Sequence, residues 1–291
     1  MTYGLPTAGT PADVPVCPRH PDRVSYVRCQ RCGRPACPQC QRSAAVGIQC
    51  VDCVNQAART APVHRTSYGG AVAAGRPLAT YVIIALCVAV YLLEWVIPHD
   101  AIFLDFAYAP FLTESEPWRM ITSAFLHSQG VLLHIVFNMY ALWILGSALE
   151  PVLGRVRYVA LYMLSAVAGS VGVLLLTPVD TPVVGASGAI FGLFGALFVI
   201  QRHRGGSVRQ IVILIAINAV IGFLPGSNIA WQAHLGGLIA GGLGAAVLAY
   251  APKGARRSLI QWSGLALLLL IMIGLTVVRT AMIHSQVYGQ L

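Results

Sequence analysis

Four polar side chains stand out within the apolar stretches of this sequence: His134, Asn138, Ser187 and His234. A serine hydroxyl is a weak nucleophile until a neighbouring base takes its proton, and histidine is the commonest such base. Ser187 and His234 could therefore carry acyl transfer. His134 and Asn138 lie four residues apart, on one face of a helix. An imidazole N–H and an amide NH₂ both donate hydrogen bonds. Such donors could receive the negative charge that develops on a carbonyl oxygen under attack. The backbone N–H of Ser187, at a helix N-terminus, could add a further donor. No Asp or Glu occurs in the apolar runs around Ser187 and His234, which favours a Ser–His dyad over a triad. Taken singly, each of these residues also has a plainer reading, as a hydrogen bond between helices.

A second constellation lies near the start. Cys17-x-x-His20, Cys29-x-x-Cys32, Cys37-x-x-Cys40 and Cys50-x-x-Cys53 repeat one spacing four times. A two-residue gap lets both side chains of a tight turn face one tetrahedral ion, so eight ligands suit two structural Zn²⁺ sites with no open position for catalysis. A segment of 37 residues cannot hold an adequate apolar core without such ions. Spacing leaves open whether consecutive or alternate pairs share an ion. A disulfide framework is the alternative, and it fits poorly with the reducing side of the membrane where the charge pattern puts this segment. Arg19, Arg23, Arg28, Arg31, Arg34 and Arg42 would suit nucleic acid, but no base-reading motif accompanies them, so a cytoplasmic protein contact is the expected role. Cys87, alone in an apolar run, reads as a small packing residue.

The elements that must position these groups are membrane helices. The chain is 57% hydrophobic and only 10% charged, against roughly a quarter charged in soluble domains. Residues 1–16 lack the basic start and apolar core of a secretory signal and are expected to be disordered. Residues 17–53 are the cysteine module and 54–77 a linker. Seven apolar runs follow within 78–278, at about 78–97, 130–149, 157–176, 184–201, 209–225, 229–250 and 258–278. The turn between the fifth and sixth is expected at Pro225-Gly226-Ser227-Asn228.

Basic residues collect in alternate loops: Arg65 and Arg76, then Arg155 and Arg157, then Arg202, Arg204 and Arg209, then Lys253, Arg256 and Arg257. The positive-inside rule makes those loops cytoplasmic and leaves 279–291 as an extracytoplasmic tail. His134, Ser187 and His234 then each lie a few residues inside the outer face, at depths of roughly 5–8 Å. Glycine spacing supplies a reason for them to meet. Gly188 and Gly192 precede Ala196, and Gly237 and Gly241 follow Ala233, at four-residue intervals. Small residues in that register allow close helix approach.

These motifs resemble the rhomboid family. Gly185-Ala186-Ser187-Gly188 is similar to its GxSG, His134 to Asn138 to its HxxxN, Ala233 to Gly241 to its AHxxGxxxG, and Trp118-Arg119 to the WR pair of its first external loop. The resemblance covers spans one to six. It implies an all-α polytopic fold, a rhomboid-like six-helix bundle here extended by a seventh C-terminal helix. It also implies a multi-pass plasma-membrane endopeptidase that cuts single-pass membrane proteins in or near their transmembrane segment, without a catalytic cofactor. Ser187 and His234 would be the catalytic pair, with His134 and Asn138 in the oxyanion hole. Where many members carry an aromatic hydroxyl one turn after the nucleophile, this chain has Phe191. The cysteine module resembles a B-box-type zinc finger. That implies cross-braced sites, Cys17, His20, Cys37 and Cys40 on one ion and Cys29, Cys32, Cys50 and Cys53 on the other. An inactive rhomboid-like scaffold that binds transmembrane clients is the rival expectation, and a transporter a more distant one.

Overall fold

The computed structural model describes residues 14–60, 65–72, 75–97, 100–222 and 229–288. The turn expected at 225–228, most of the N-terminus expected to be disordered, and the last three residues lie outside that range. The chain divides into two compact units, Met1–Val63 and His64–Leu291.

In the first unit, β1 (Val16–Cys17) pairs antiparallel with β2 (His20–Val24), and β3 (Gln41–Ser43) with β4 (Ile48–Cys50). Helix α1 (Val51–Thr60) follows β4 directly, so the module continues past residue 53, where the linker was expected to begin. Its buried core consists of six cysteines and Ala36. An interior of thiols offers almost no apolar area to offset chain entropy, so a fold of this size needs a cross-link.

The second unit is helical. Its elements are α2 (Leu78–Val96), α3 (Ala101–Phe106), α4 (Arg119–Thr122), α5 (Leu132–Leu153), α6 (Arg155–Leu176), α7 (Ser187–His203), α8 (Arg209–Gly222), α9 (Trp231–Tyr250) and α10 (Arg257–Tyr288). Every one of the seven expected spans has a helix. Five of them, α2, α5, α6, α9 and α10, are long and apolar enough to cross a bilayer. The other two are shorter, 17 residues for α7 and 14 for α8. Helix α10 runs ten residues past the expected end at 278, through Arg279, whose Nε donates to the Leu174 carbonyl. No glycine or proline interrupts 279–288 before Gly289, so nothing local ends the helix sooner.

Helix α6 is the hub, with 67% of its apolar window buried against 11% for α10. Tyr158, Leu161, Tyr162 and Leu174 on it are fully enclosed. At the end away from Ser187, the buried Glu150 carboxylate of α5 accepts from the Ala79 and Thr80 backbone N–H groups and from the Thr80 hydroxyl, at 3.0, 2.9 and 2.8 Å. It thereby caps the N-terminus of α2 and sets the register of α2 on α5.

The expected linker is in part a docked strap. Thr66 N–H bonds to the Gly70 carbonyl, Tyr68 is buried, and its carbonyl accepts Gln261 Nε2 at 3.0 Å. Gln261 in turn accepts Arg157 Nε at 2.9 Å. This polar triad gives the Tyr68 turn a fixed seat on α6 and α10, which a Gly- and Ala-rich sequence did not suggest.

Helices α7 and α9 make the closest packing. A Cβ on Gly237 would overlap the Gly188 carbonyl, and one on Gly241 would overlap the Gly192 backbone. The two expected stripes therefore interlock, and α6 closes the third side, where a Cβ on Gly169 would stand 3.4 Å from Gly188 Cα and 3.3 Å from the Ala233 carbonyl oxygen. Backbone cannot yield as a side chain can. Gly237→Leu is accordingly expected to cost about 3 kcal/mol or more, read as a fall in melting temperature of the detergent-solubilised chain. Gly274→Ala on α10, where a Cβ meets nothing within 4 Å, is expected to leave that temperature unchanged or raise it.

Candidate functional site

Ser187 is the first residue of α7. The strand-like segment before it is held on both sides: Val183 and Tyr108 exchange backbone hydrogen bonds at 2.7 and 3.1 Å, and Gly185 N–H donates to the Ser123 carbonyl at 2.9 Å. Gly185 has φ +130°, which an L side chain rarely adopts. A Cβ there would also stand 2.9 Å from His134 Nε2 and 3.7 Å from Ser187 Oγ. The missing side chain is thus what lets the His134 ring and the Ser187 hydroxyl flank one point. First-turn N–H groups of a helix lack intrahelical acceptors, so Ser187 N–H adds a donor beside it.

His134 sits in the first turn of α5. The Ser128 backbone N–H donates to its Nδ1 at 3.2 Å. An Nδ1 that accepts leaves the neutral ring's proton on Nε2, so the nitrogen beside Gly185 is the donor. The loop that supplies Ser128 is tied down by Gln129, whose Nε2 donates to Glu94 Oε2 at 2.9 Å and to the Tyr91 carbonyl at 3.1 Å. Asn138, one turn further on, is buried and uses Nδ2 to donate to the His134 carbonyl at 2.7 Å. One of its two amide protons is thus committed within its own helix.

His234 lies in the first turn of α9. Its ring stacks on Phe191 with centroids 4.0 Å apart and planes 8° from parallel. Phe191 is one turn after Ser187 on α7, so the same helix that carries the hydroxyl supports the imidazole from below. Among the described residues no hydrogen bond joins Ser187 to His234. The expected proximity of the three elements is present, and the expected hydroxyl–imidazole bond is not.

Several neighbours escaped the sequence reading. His127 is buried with its ring centroid 5.3 Å from that of His134, and neither ring nitrogen has a hydrogen-bond partner among the described residues. Only its separation of seven residues from His134 hinted at a shared site. Ser165, Gly169 and Gly172 bring α6 against α7 and α9, and their spacing of four and three was a usable signal. Arg119 of the Trp118-Arg119 pair is buried, bonded to Glu116 and to the carbonyls of Leu104 and Ala107, which folds the α3–α4 segment under itself.

The eight module ligands fall into two groups, Cys17, His20, Cys37 and Cys40, and Cys29, Cys32, Cys50 and Cys53, with each group's ligand atoms within 4.8 Å of one another. Alternate pairs are combined, which spacing had left open. His20 Nδ1 is 3.3 and 3.4 Å from the Cys37 and Cys40 sulfurs, and the Cys32 and Cys50 sulfurs are 3.7 Å apart. Such edges suit a tetrahedron around an ion with metal–sulfur bonds of about 2.3 Å. The Cys50 N–H donates to Cys29 Sγ at 3.1 Å and Arg34 Nε to Cys32 Sγ at 3.4 Å, contacts that stabilise thiolates. The backbone N–H of Cys37 lowers the pKa of the Cys17 thiol to about 6, while burial raises that of Cys40 in the same group to about 11. The donor set therefore fits a metal ion in each group.

Residues 114–251 match the family model for the rhomboid domain. The chain is 38% identical to "Rhomboid protease GluP" of Bacillus subtilis (strain 168) over 50% of its length and 28% of that protein's. It is 37% identical to "RHOMBOID-like protein 5" of Arabidopsis thaliana, over 44% of this chain and 43% of that one. It is also 38% identical to "RHOMBOID-like protein 1" of the same plant, over 43% and 33%. The chain thus spans less than half the length of each of these relatives. Together with the helical fold and its five membrane-length helices, the matches support the rhomboid family and a multi-pass membrane protein.

Proposed function

We propose that this chain is an intramembrane serine endopeptidase that cleaves single-pass membrane proteins within or beside their transmembrane segment. The observation that carries the reading is the convergence on Gly185, where the Ser187 hydroxyl and a His134 ring with its proton on Nε2 flank one backbone position. The Bacillus subtilis relative, which is named as a protease, lends it further support.

In the proposed reaction the Ser187 hydroxyl rotates onto His234 as substrate enters. Catalytic hydrogen bonds that are long or absent in a resting enzyme commonly form only then. Oγ attacks the scissile carbonyl while His234 takes its proton. The carbonyl oxygen, now an anion, is met by His134 Nε2–H, the Ser187 N–H and the second amide proton of Asn138. His234 then protonates the leaving amine. Water, deprotonated by His234, releases the acyl group and restores the Ser187 hydroxyl. With Phe191 stacked on its face, the imidazole keeps its plane without a carboxylate partner.

On this reading His134→Ala lowers kcat by roughly 10²–10³-fold with KM little changed. Asn138→Ala costs less than about tenfold, because half of its donor capacity is already spent inside α5. Kinetics in proteoliposomes check both. The inactive-scaffold reading draws on the missing Ser187–His234 hydrogen bond. Co-reconstitution with a single-pass substrate separates the two: two fragments from the wild-type chain support the protease, and none from wild type and Ser187→Ala alike supports the scaffold.

For the module we propose two structural Zn²⁺ ions, each enclosed by four protein ligands, and a cytoplasmic protein contact in preference to nucleic acid. The loop charges favour a plasma-membrane orientation with the N-terminus cytoplasmic.

A further inference from the structure

Three arginines converge on the Tyr68 turn, at the end of the bundle away from Ser187. Arg65 Nη1 donates to the Gly69 carbonyl at 3.1 Å. A Cβ on Gly69 would stand 3.6 Å from Arg157 Nη2 and 3.8 Å from Arg257 Cδ. The charges of Arg65 and Arg257 both bear on the Arg157 guanidinium, and like charges so close repel. Helices α6 and α10 also begin here. Neither has an acidic residue in its first turn, so their positive ends add to the potential of the guanidinium groups.

No carboxylate offsets this charge. Glu94, Asp100, Asp105, Glu114, Glu116 and Asp180 belong to helix ends and loops on the Ser187 side. Glu150 is at the right end, but it is committed to the Ala79 and Thr80 N–H groups and faces Arg155 at 3.6 Å. Among the described residues none of the three arginines has an ion pair. Donors remain open as well. Arg157 uses Nε and Nη2 on Gln261 and Ser258, while its Nη1 makes no hydrogen bond and is not enclosed. Arg257 Nε is enclosed and out of reach, but its two Nη groups are not enclosed and make no hydrogen bond.

We propose that Arg65, Arg157 and Arg257 bind the phosphate group of one anionic phospholipid, in the leaflet away from Ser187. Guanidinium forks match phosphate oxygens in shape as well as in charge. Basic pockets between membrane helices at the headgroup level hold anionic lipids on this principle. The level is marked by Trp262, whose ring lies 5.9 Å from the Arg157 guanidinium carbon, as tryptophans favour the membrane–water interface. Leu259 and Ile260, just past Arg257, are exposed and offer an acyl chain an apolar path. Free phosphate shares the recognised chemistry but has no use for that path. A phosphate held by all three arginines would fasten the Tyr68 turn to the starts of α6 and α10.

The test is native mass spectrometry of the delipidated full-length chain in dodecyl maltoside. It is titrated with dioleoyl phosphatidylglycerol, or with dioleoyl phosphatidylcholine, whose own cation cancels the phosphate charge. One phosphatidylglycerol per chain is expected, held more tightly than phosphatidylcholine. Arg257→Gln should weaken that retention about tenfold or more, the effect of losing a charged hydrogen bond. Arg209→Gln, an exposed arginine elsewhere at the same end, should change it less than about twofold, since its charge is screened. Equal retention by wild type and Arg257→Gln overturns the proposal, as does an equal loss in Arg209→Gln, which would mean general attraction to a basic face. Displacement of the lipid by inorganic phosphate at equal concentration overturns the lipid in favour of free phosphate, and resistance to it supports the lipid. Should Arg257→Gln fail to fold, Arg65→Gln on the exposed strap decides: unchanged retention overturns, reduced retention supports.

Discussion

Ser187→Ala is expected to lower cleavage of a reconstituted single-pass substrate by roughly 10⁴-fold or more, into the background, with the melting temperature unchanged. The side chain begins α7 beside Gly185, and replacing its hydroxyl by hydrogen disturbs no hydrogen bond seen in the resting structure. The loss would therefore be chemical and not structural. His234→Ala should fall as far, because a serine without its base is nearly as inert as no serine. The double variant should be no worse than either single one, the signature of two groups acting in one step. Additive losses would mean that the two residues act separately. Phe191→Ala gives an intermediate case, since it removes the ring that supports His234 but neither reacting group.

The second large effect is expected from metal removal. Stripping the ions with a strong chelator should unfold residues 14–60, seen as loss of protease resistance there, while Ser187-dependent cleavage persists. Structural zinc contributes about 10–16 kcal/mol of apparent binding energy in small fingers, and the module's core of six cysteines and Ala36 has nothing comparable to replace it. Elemental analysis should give about two ions per chain. Cys29→Ser should remove one ion and the Cys17→Ser, Cys29→Ser double variant both, whereas sequential pairing of the ligands would leave one in the double variant. No metal in the purified protein would refute the zinc assignment.

Much of this organisation was legible because certain residues are expensive where they stand. A serine or histidine in an apolar run draws notice, and so do glycines at four-residue intervals, which is why Ser187, His134 and His234 stood out as candidates and the Gly188–Gly237 contact could be read directly. Repeated ligand spacing marked the cysteine module for the same reason. The rest depended on partners distant in the chain. Cross-bracing needs the β1–β2 and β3–β4 pairings that bring alternate ligands together. The Tyr68 turn reads as a linker until Gln261 and Arg157, far along the chain, reach it. The His134 tautomer rests on one backbone N–H, at Ser128, which no side-chain pattern encodes. The missing Ser187–His234 bond is also invisible in sequence, since small residues fix how closely helices approach but not the rotamer between them.

The central claim is that Ser187 is a nucleophile activated by His234. Its most direct measurement is labelling of the full-length protein in liposomes with a fluorophosphonate, followed by peptide mapping. The account predicts one adduct, on the peptide that contains Ser187, absent in Ser187→Ala and nearly absent in His234→Ala. An adduct of equal yield in Ser187→Ala, or none on Ser187 in a preparation that cleaves substrate, would contradict it.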